Sequence, residues 1–421
     1  MAREAATELL LSVTEKGRAL DDAALARATS ALDPRDRGFV RLLVAETLRR
    51  QGRLEALISR FLTRPLPDRQ KRLNAILVLG AAQLVVLGTP AHAAINLAVE
   101  QSRRMPDGGR FDKLVNAVLR RISEQGLGLL KEIDGDRLDI PPWLWERWVL
   151  AYGEPQARAI AAGSLNEAPL EITTKSEPEA WASRLGGALL PTGTIRLARH
   201  AGRIEDLAGF AEGGWWVQDA AAALPARLLG AVAGQCVLDL CAAPGGKTMQ
   251  LAAAGARVTA VDVSQLRLDR LRQNLTRVGL SATLVASDAS EFFARDPFDA
   301  VLLDAPCTAT GTIRRHPDIL RLKRPGDVRA LAVVQERLID AAARLVKPGG
   351  TLVYCTCSLE PEEGEQQIAA LLERNDDFER RPIAPGECGI PSGWIDAQGD
   401  LRTLPSDGVD GFYAARLVRK P

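Results

Sequence analysis

With 421 residues, 46% of them hydrophobic and 25% charged, the chain has the composition of an ordinary soluble globular protein of two or three domains, and its net charge of +1 does not by itself point to nucleic acid. Residues 73–87 are the most apolar stretch, but Asn74, Gly80 and Gln83 interrupt it and it is shorter than the roughly 20 residues of a bilayer span. The opening Met1-Ala2-Arg3-Glu4 lacks a secretion-signal design, and six cysteines without a C-x-x-C pair form neither a disulfide framework nor a zinc pattern, so reduced thiols in a cytoplasm and no bound metal are expected.

Up to about Gly126 nearly every segment reads as helix. Asp33 is a natural N-cap, Pro34 suits the first turn, and Phe39, Val40, Leu43 and Leu48 supply an apolar stripe that Gly52 can end. Thr89 and Pro90 open a further helix, and Leu114, Val115, Val118, Leu119 and Ile122 repeat at helical spacing. An all-α bundle is therefore predicted, without a catalytic constellation of its own. Its charge departs from the mean: residues 1–140 hold 23 Lys+Arg against 18 Asp+Glu, leaving 31 against 35 for the remainder. Arg49, Arg50 and Arg53, then Arg69, Lys71 and Arg72, then Arg103 with Arg104 and Arg120 with Arg121 form local basic groups. Either phosphate contacts or a solvated helical face accounts for them.

Residues 139–215 read as a small α+β module. Pro141 and Pro142 mark its start, and Leu170 to Thr174 has the look of a strand. Trp143, Trp145 and Trp148 crowd one short segment, where packing in a hinge or domain contact is favoured over stacking on bases because large aromatics are mostly buried for their area.

From about Trp216 strands and helices alternate. Cys236 to Leu240 feeds the loop Cys241, Ala242, Ala243, Pro244, Gly245, Gly246 and Lys247, the strand–turn–helix opening of a doubly wound nucleotide-binding sheet. G-x-G-x-x-G is absent, so no pyrophosphate cradle is indicated. Instead acidic residues recur where successive strands end, at Asp239, Asp262, Asp288 and Asp304. Asp262 is placed to accept hydrogen bonds from ribose hydroxyls and Asp288 to meet an adenine. An acidic crevice suits adenosine joined to a cationic sulfonium, which describes S-adenosylmethionine. Lys247 at a helix start opposes the helix dipole, and pairing with a carboxylate such as Asp304 would explain it.

The most specific run is Asp304-Ala305-Pro306-Cys307, continuing through Thr308 to Arg314, Arg315 and His316; a second, Tyr354-Cys355-Thr356-Cys357-Ser358, ends the next strand. Two thiols at adjacent strand tips would share the crevice with the cofactor, and spacing does not distinguish them, because both loops reach the same place. Neither His92, His200 nor His316 is a sequence neighbour of Cys357, so a protease-like Cys/His pair is not indicated. Cys355, Cys236, Cys241 and Cys388 read as small buried hydrophobes, although Cys241 belongs to the cofactor loop.

The D-A-P-C and T-C-S loops resemble those of the RNA cytosine-5 methyltransferases. The amino-terminal region, with Asp36 to Val40, Ala91 to Asn96 and Val115 to Arg121, resembles a NusB-type RNA-binding domain, and the fusion is similar to the Sun/Fmu type of small-subunit (16S) ribosomal RNA cytosine-5 methyltransferases. Leu404 to Tyr413 fits that family's closing motif. Thr308 stands where serine is frequent, and Arg321 where an aromatic residue is common. The resemblance implies three parts: a NusB-like bundle over residues 1–138, a connecting module over 139–215, and an α/β Rossmann-like methyltransferase domain over 216–421. It assigns Cys357 as nucleophile and Cys307 to product release, and it implies small-subunit rRNA before subunit assembly as substrate of a monomeric, cytoplasmic enzyme; for that chemistry Asp304 is the natural partner of the base's N3 edge. Arg314 and Arg315 could hold flanking phosphates or serve as surface solvation. The same chemistry on transfer RNA, or a mainly non-catalytic assembly role for the bundle, are the alternatives.

Overall fold

Asp33 caps the helix Pro34–Arg49 by accepting the backbone N–H of Asp36 at 2.8 Å, so cap chemistry starts this element where the sequence places it. The helices Ala2–Thr14, Gln51–Ser59, Lys71–Val85, Ala91–Arg103 and Asp112–Leu130 join it around one apolar core that includes Leu10, Leu43, Leu77, Val118 and Ile122. This computed structural model describes residues 1–106, 109–198 and 202–421; His200 lies outside the described residues. Contacts divide the chain into two units, Met1–Leu165 with Ile313–Arg324, and Asn166–Thr312 with Pro325–Pro421.

That division differs from the three consecutive parts read in the sequence. The helices Pro142–Tyr152 and Glu154–Ser164 belong with the helical unit, as does Ile313–Arg324 from the far half of the chain. Specific bonds hold the latter segment: Asp318 accepts the backbone N–H of Leu20 at 2.9 Å, and Arg49 donates to the carbonyl of Arg314 at 2.7 Å. Trp145 and Trp148 are buried, and Trp145 lies between the guanidinium groups of Arg137 and Arg158, 5.3 and 5.4 Å from its ring centre. Packing, favoured on area grounds, is their role here.

Most basic groups of this unit are met by carboxylates. Arg49 and Arg50 pair with Glu46, Arg53 with Asp139, Arg72 with Glu4 and Glu8, Arg103 with Asp112 and Arg104 with Glu100. Arg120 and Arg121 remain exposed. Many of the local basic groups are thus engaged within the unit, while its net positive excess remains.

In the second unit, β1 (Glu171–Thr174), β2 (Ala188–Leu189), β3 (Ile195–Arg196) and β4 (Trp215–Val217) form an antiparallel sheet in the order β2-β3-β1-β4. The strand read at Leu170 to Thr174 is β1. The main sheet contains β5 (Cys236–Leu240), β6 (Arg257–Asp262), β7 (Thr283–Ala286), β8 (Phe298–Asp304), β9 (Val346–Thr356), β10 (Phe378–Arg380), β11 (Leu401–Thr403) and β12 (Phe412–Arg419). Its order is β10-β12-β9-β8-β5-β6-β7, with β11 on β12. Strands β5 to β9 run parallel, and β12 is antiparallel to β9. Buried on both faces by helices, such strands carry near-continuous apolar runs, as in Val301, Leu302 and Leu303. The winding reverses between β5 and β8, which opens a crevice at their carboxyl ends.

The closing segment braces that end of the sheet. Gly411, just before β12, donates its N–H to the carbonyl of Gly311 at 2.8 Å, while Gly311 donates to the carbonyl of Cys357 at 3.0 Å. A Cβ on Gly311 would lie 2.0 Å from the carbonyl oxygen of Gly411, so only glycine lets the two backbones approach. Gly311→Ala is expected to lower unfolding stability by about 1–3 kcal/mol, the usual range for overpacking; urea melts would measure it, and an unchanged midpoint would mean that the closing segment yields freely.

Candidate active site

The β5 strand delivers Cys241 to the crevice, and the loop turns into the helix Gly246–Ala253. Gly245 takes φ +107°, and a Cβ there would fall 2.7 Å from Leu271 Cγ, so the turn requires glycine on both backbone and space grounds. Asp262 ends β6 and accepts the N–H of Ala243 at 3.1 Å and of Ser264 at 3.0 Å, with the Arg267 guanidinium 3.4 Å away. Its carboxylate therefore ties the cofactor loop to the neighbouring strand. Ala242, Ala243 and Lys247 are buried and Pro244 is exposed.

Asp288 is half-buried beyond β7, and the backbone N–H and hydroxyl of Ser290, each at 2.8 Å, hold its carboxyl below the ordinary range. It stays ionised with acceptor capacity in hand. Asp239 behaves differently. It is fully buried, accepts the Thr248 hydroxyl at 2.5 Å, and has its pKa pushed up to about 7 by burial. Of the four recurring aspartates, this one anchors the helix behind the loop instead of facing a ligand. Two apolar side chains that the sequence did not single out flank the acidic ones: Val263, just after Asp262, is 71% exposed and Phe293, beyond Asp288, is 83% exposed.

Parallel pairing of β8 with β9 sets Asp304 against Cys355, so the loops leaving these strands start side by side. As a result Cys307 and Cys357, 50 positions apart in the chain, have their Sγ atoms 3.5 Å from one another. Asp304 accepts Lys247 Nζ at 2.8 Å through Oδ2 and faces the Cys355 thiol at 3.6 Å through Oδ1. The ion pair anticipated for Lys247 is present. Burial lowers the lysine's pKa, yet Asp304 and the other nearby acidic groups outweigh this and leave it raised; its ammonium also lies 5.0 Å from the centre of the Phe412 ring. A cation at a helix start is tolerated because a carboxylate compensates it.

Cys307, Cys241 and Cys355 are held as thiols. The hydrogen bond with Cys357, together with burial, pushes Cys307 up; burial pushes Cys241 up to about 12; and burial beside Asp304 pushes up Cys355. Behind the two thiol loops lies a group that the sequence reading missed, Glu363. It is fully buried and accepts hydrogen bonds from Thr308 N–H at 2.9 Å, from the Ser358 hydroxyl at 2.5 Å, from the Thr308 hydroxyl, and from Gln335 Nε2 at 3.1 Å. In the sequence it stands within the acidic run Glu360 to Glu365, which reads as solvated surface.

Of the two arginines expected to hold phosphates, Arg314 does not fit that role. It is 4% exposed and its segment groups with the helical unit, so its guanidinium is enclosed and closed to a phosphate from solvent. Arg315 is half-buried. Among the described residues no helix is long and apolar enough to cross a membrane.

Comparisons with known proteins give the family and the fold. Residues 226–418 match the family described as 16S rRNA methyltransferase RsmB/F, and residues 1–124 match the NusB family. Ribosomal RNA small subunit methyltransferase B of Xanthomonas campestris pv. campestris is 36% identical over 434 residues, which cover 99% of this chain and 97% of that protein. The protein of the same name from Vibrio cholerae serotype O1 is 35% identical, with coverage of 99% and 97%. The crystal structure of PH0851 shares the fold, with a TM-score of 0.75 at 22% identity over 99% of this chain and 98% of that one.

The buried Asp239 predicts a pH effect. Its folded pKa lies near 7, above the 3.8 of a free carboxyl, so its favourable protonated form contributes fully below that lower value and the contribution is lost as pH rises through about 7. Asp239→Asn is expected to flatten the fall in melting temperature between about pH 4 and 7; an identical slope in the variant would assign the effect to another group.

Proposed function

This chain belongs to the RsmB/F family of 16S rRNA methyltransferases, and on that premise we propose that it transfers a methyl group from S-adenosylmethionine to carbon 5 of a cytosine in small-subunit ribosomal RNA, through a bond between Cys357 and carbon 6 of the base. The observation that carries this reading is the 3.5 Å approach of two thiols beside the Lys247–Asp304 ion pair, at the crevice where a doubly wound sheet takes its ligand.

The residues present fit the cofactor. Lys247 is committed to Asp304, so the loop offers no free side-chain cation to a phosphate, and the crevice is acidic, as a sulfonium prefers. Asp262, 1% exposed with its oxygens on Ala243, Ser264 and Arg267, shapes the loop beside the ribose, Asp288 keeps lone pairs for the adenine amino group, and Val263 and Phe293 offer apolar surface to the purine. Residues Cys241 to Lys247 form the floor. When bound, S-adenosylmethionine supplies an electrophilic methyl group.

The protein's own part is to make a poor nucleophile reactive. Carbon 5 of cytosine does not attack unaided; addition of the Cys357 thiolate to carbon 6 pushes electrons into the ring and makes carbon 5 enamine-like. Asp304 hydrogen-bonds N3 as it takes up a proton, held in place by Lys247 on one oxygen and the Cys355 thiol at the other. After the new carbon–carbon bond forms, a base removes the carbon 5 proton and the carbon–sulfur bond breaks. Cys307, kept as a thiol, lies at hydrogen-bond distance from the departing sulfur and stabilises it.

The target base has to leave its stack to reach thiols at strand tips, which favours a hairpin or loop of rRNA accessible before subunit assembly, acted on by a monomer in the cytoplasm. Exposed Arg120 and Arg121 and half-buried Arg315 are the cations available for phosphates. Two intact thiols in contact oppose a purely scaffolding role.

Mixing enzyme, cofactor and 16S rRNA should produce a protein–RNA adduct that survives denaturation. Cys307→Ala is expected to accumulate that adduct and Cys357→Ala to form none. The reverse pattern would exchange the two roles, and full methyl transfer by Cys357→Ser would overturn the covalent route.

A further inference from the structure

We propose that Glu363 is a positioning residue that clamps the two thiol loops together and so sets the distance between Cys307 and Cys357. This rests on the catalytic reading above, but its geometric content stands apart from it. Each thiol is followed directly by a hydroxyl residue, Cys307 by Thr308 and Cys357 by Ser358, and both hydroxyls donate to the one carboxylate. Thr308 adds its backbone N–H at 2.9 Å, and Gln335 closes the set at 3.1 Å while also donating to the carbonyl of Pro306 at 2.9 Å.

A fully buried carboxylate is costly unless donors surround it, and here the donors come from the very residues whose neighbours do the chemistry. Thr308, Ser358, Gln335 and Glu363 are all fully buried, so water does not replace a lost partner easily. Further bonds run parallel to the clamp: Leu359 N–H donates to the Thr310 hydroxyl at 3.0 Å, and Gly311 N–H to the Cys357 carbonyl at 3.0 Å. These join the same loops; the Thr308 and Ser358 hydroxyls also lie 3.2 Å apart, and Glu363 accepts from both and so fixes the residues immediately after the two sulfurs on one carboxylate. Its own backbone is fixed as well, since its carbonyl accepts the Tyr354 hydroxyl at 2.7 Å from β9. The carboxylate thus refers both loops to the strand that carries one of them.

The physical consequence is selective. Removing the carboxylate should leave the cofactor loop between β5 and its helix untouched, because none of the clamp's bonds reaches it, and should loosen the two sulfurs relative to each other. A misplacement of about 1 Å at reacting atoms costs on the order of 100-fold in rate. Glu363→Gln keeps the size and can still accept the Thr308 N–H while donating to a hydroxyl, so it should rescue most of the function.

The test uses the full chain and two readouts. Without RNA, diamide should link Cys307 to Cys357, with the disulfide mapped by mass spectrometry. The rate in Glu363→Ala is expected to fall about tenfold, with Glu363→Gln within about threefold of the unchanged chain, as looser and retained preorganisation dictate. With rRNA, Glu363→Ala should lose about 100-fold in kcat at an unchanged KM for S-adenosylmethionine. Equal cross-linking rates in the Ala variant and the unchanged chain would overturn the clamp. If Glu363→Ala fails to bind cofactor, Thr308→Val and Ser358→Ala replace it, each removing one hydroxyl donor; slower cross-linking in both supports the clamp, and unchanged rates in both overturn it. An unchanged chain that cross-links readily yet never forms an RNA adduct would sink the covalent mechanism and leave the clamp standing.

Discussion

Parallel pairing of β8 with β9, in the register that places Asp304 beside Cys355, is the constraint on which the site depends. Strands in a parallel pair end on the same side of the sheet, so the segments that follow them emerge together, and the chain needs the long helix Pro325–Arg344 to return from one strand to the next. That return explains how thiols 50 positions apart share one point in space. Shifting the register by one residue would turn each side chain to the other face of the sheet and separate Asp304 from Lys247 and Cys355 from Asp304.

Charge in the crevice is arranged around this pairing. Lys247 would be misplaced at a helix start if it stood alone, yet with Asp304 opposite it becomes the partner that holds that carboxylate in position. The carboxylates divide their tasks by burial. Asp239 is fully enclosed and secures Thr248; Asp262 binds two backbone N–H groups and secures the loop; Asp288 and Asp304 keep partly open faces. Glu363 repeats the pattern one layer below the thiols, where a buried negative charge organises donors from several segments.

The helical unit follows another economy of charge. Its arginines look like a nucleic-acid surface when read along the chain, but several pair with carboxylates, Arg49, Arg50 and Arg104 within their own helices and Arg72 and Arg103 across to neighbouring ones, and Arg49 reaches the carbonyl of Arg314 instead of solvent. Ile313–Arg324 leaves the catalytic unit at the end of the Cys307 loop and packs with the helices, with Leu322 against their apolar core. Sequence order suggested a surface loop with two phosphate-holding arginines, and the grouping of this segment with the helices removes Arg314 from that role.

Sequence alone determined what local chemistry can encode. Cap residues and helical periodicity marked the bundle, the strand–loop–helix with Gly245 marked the doubly wound sheet, and the two cysteine runs marked the family, because each depends on residues adjacent in the chain. Tertiary structure decided whatever depends on partners brought from afar: the pairing of Lys247 with Asp304, the burial that separates Asp239 and Asp262 from Asp288 and Asp304, the enclosure of Arg314, and the gathering of Thr308, Ser358 and Gln335 around Glu363. A glutamate in an acidic run looks solvated until strand pairing and a helix return surround it with donors, for burial is a property of the assembled chain and is not carried by any single stretch of it.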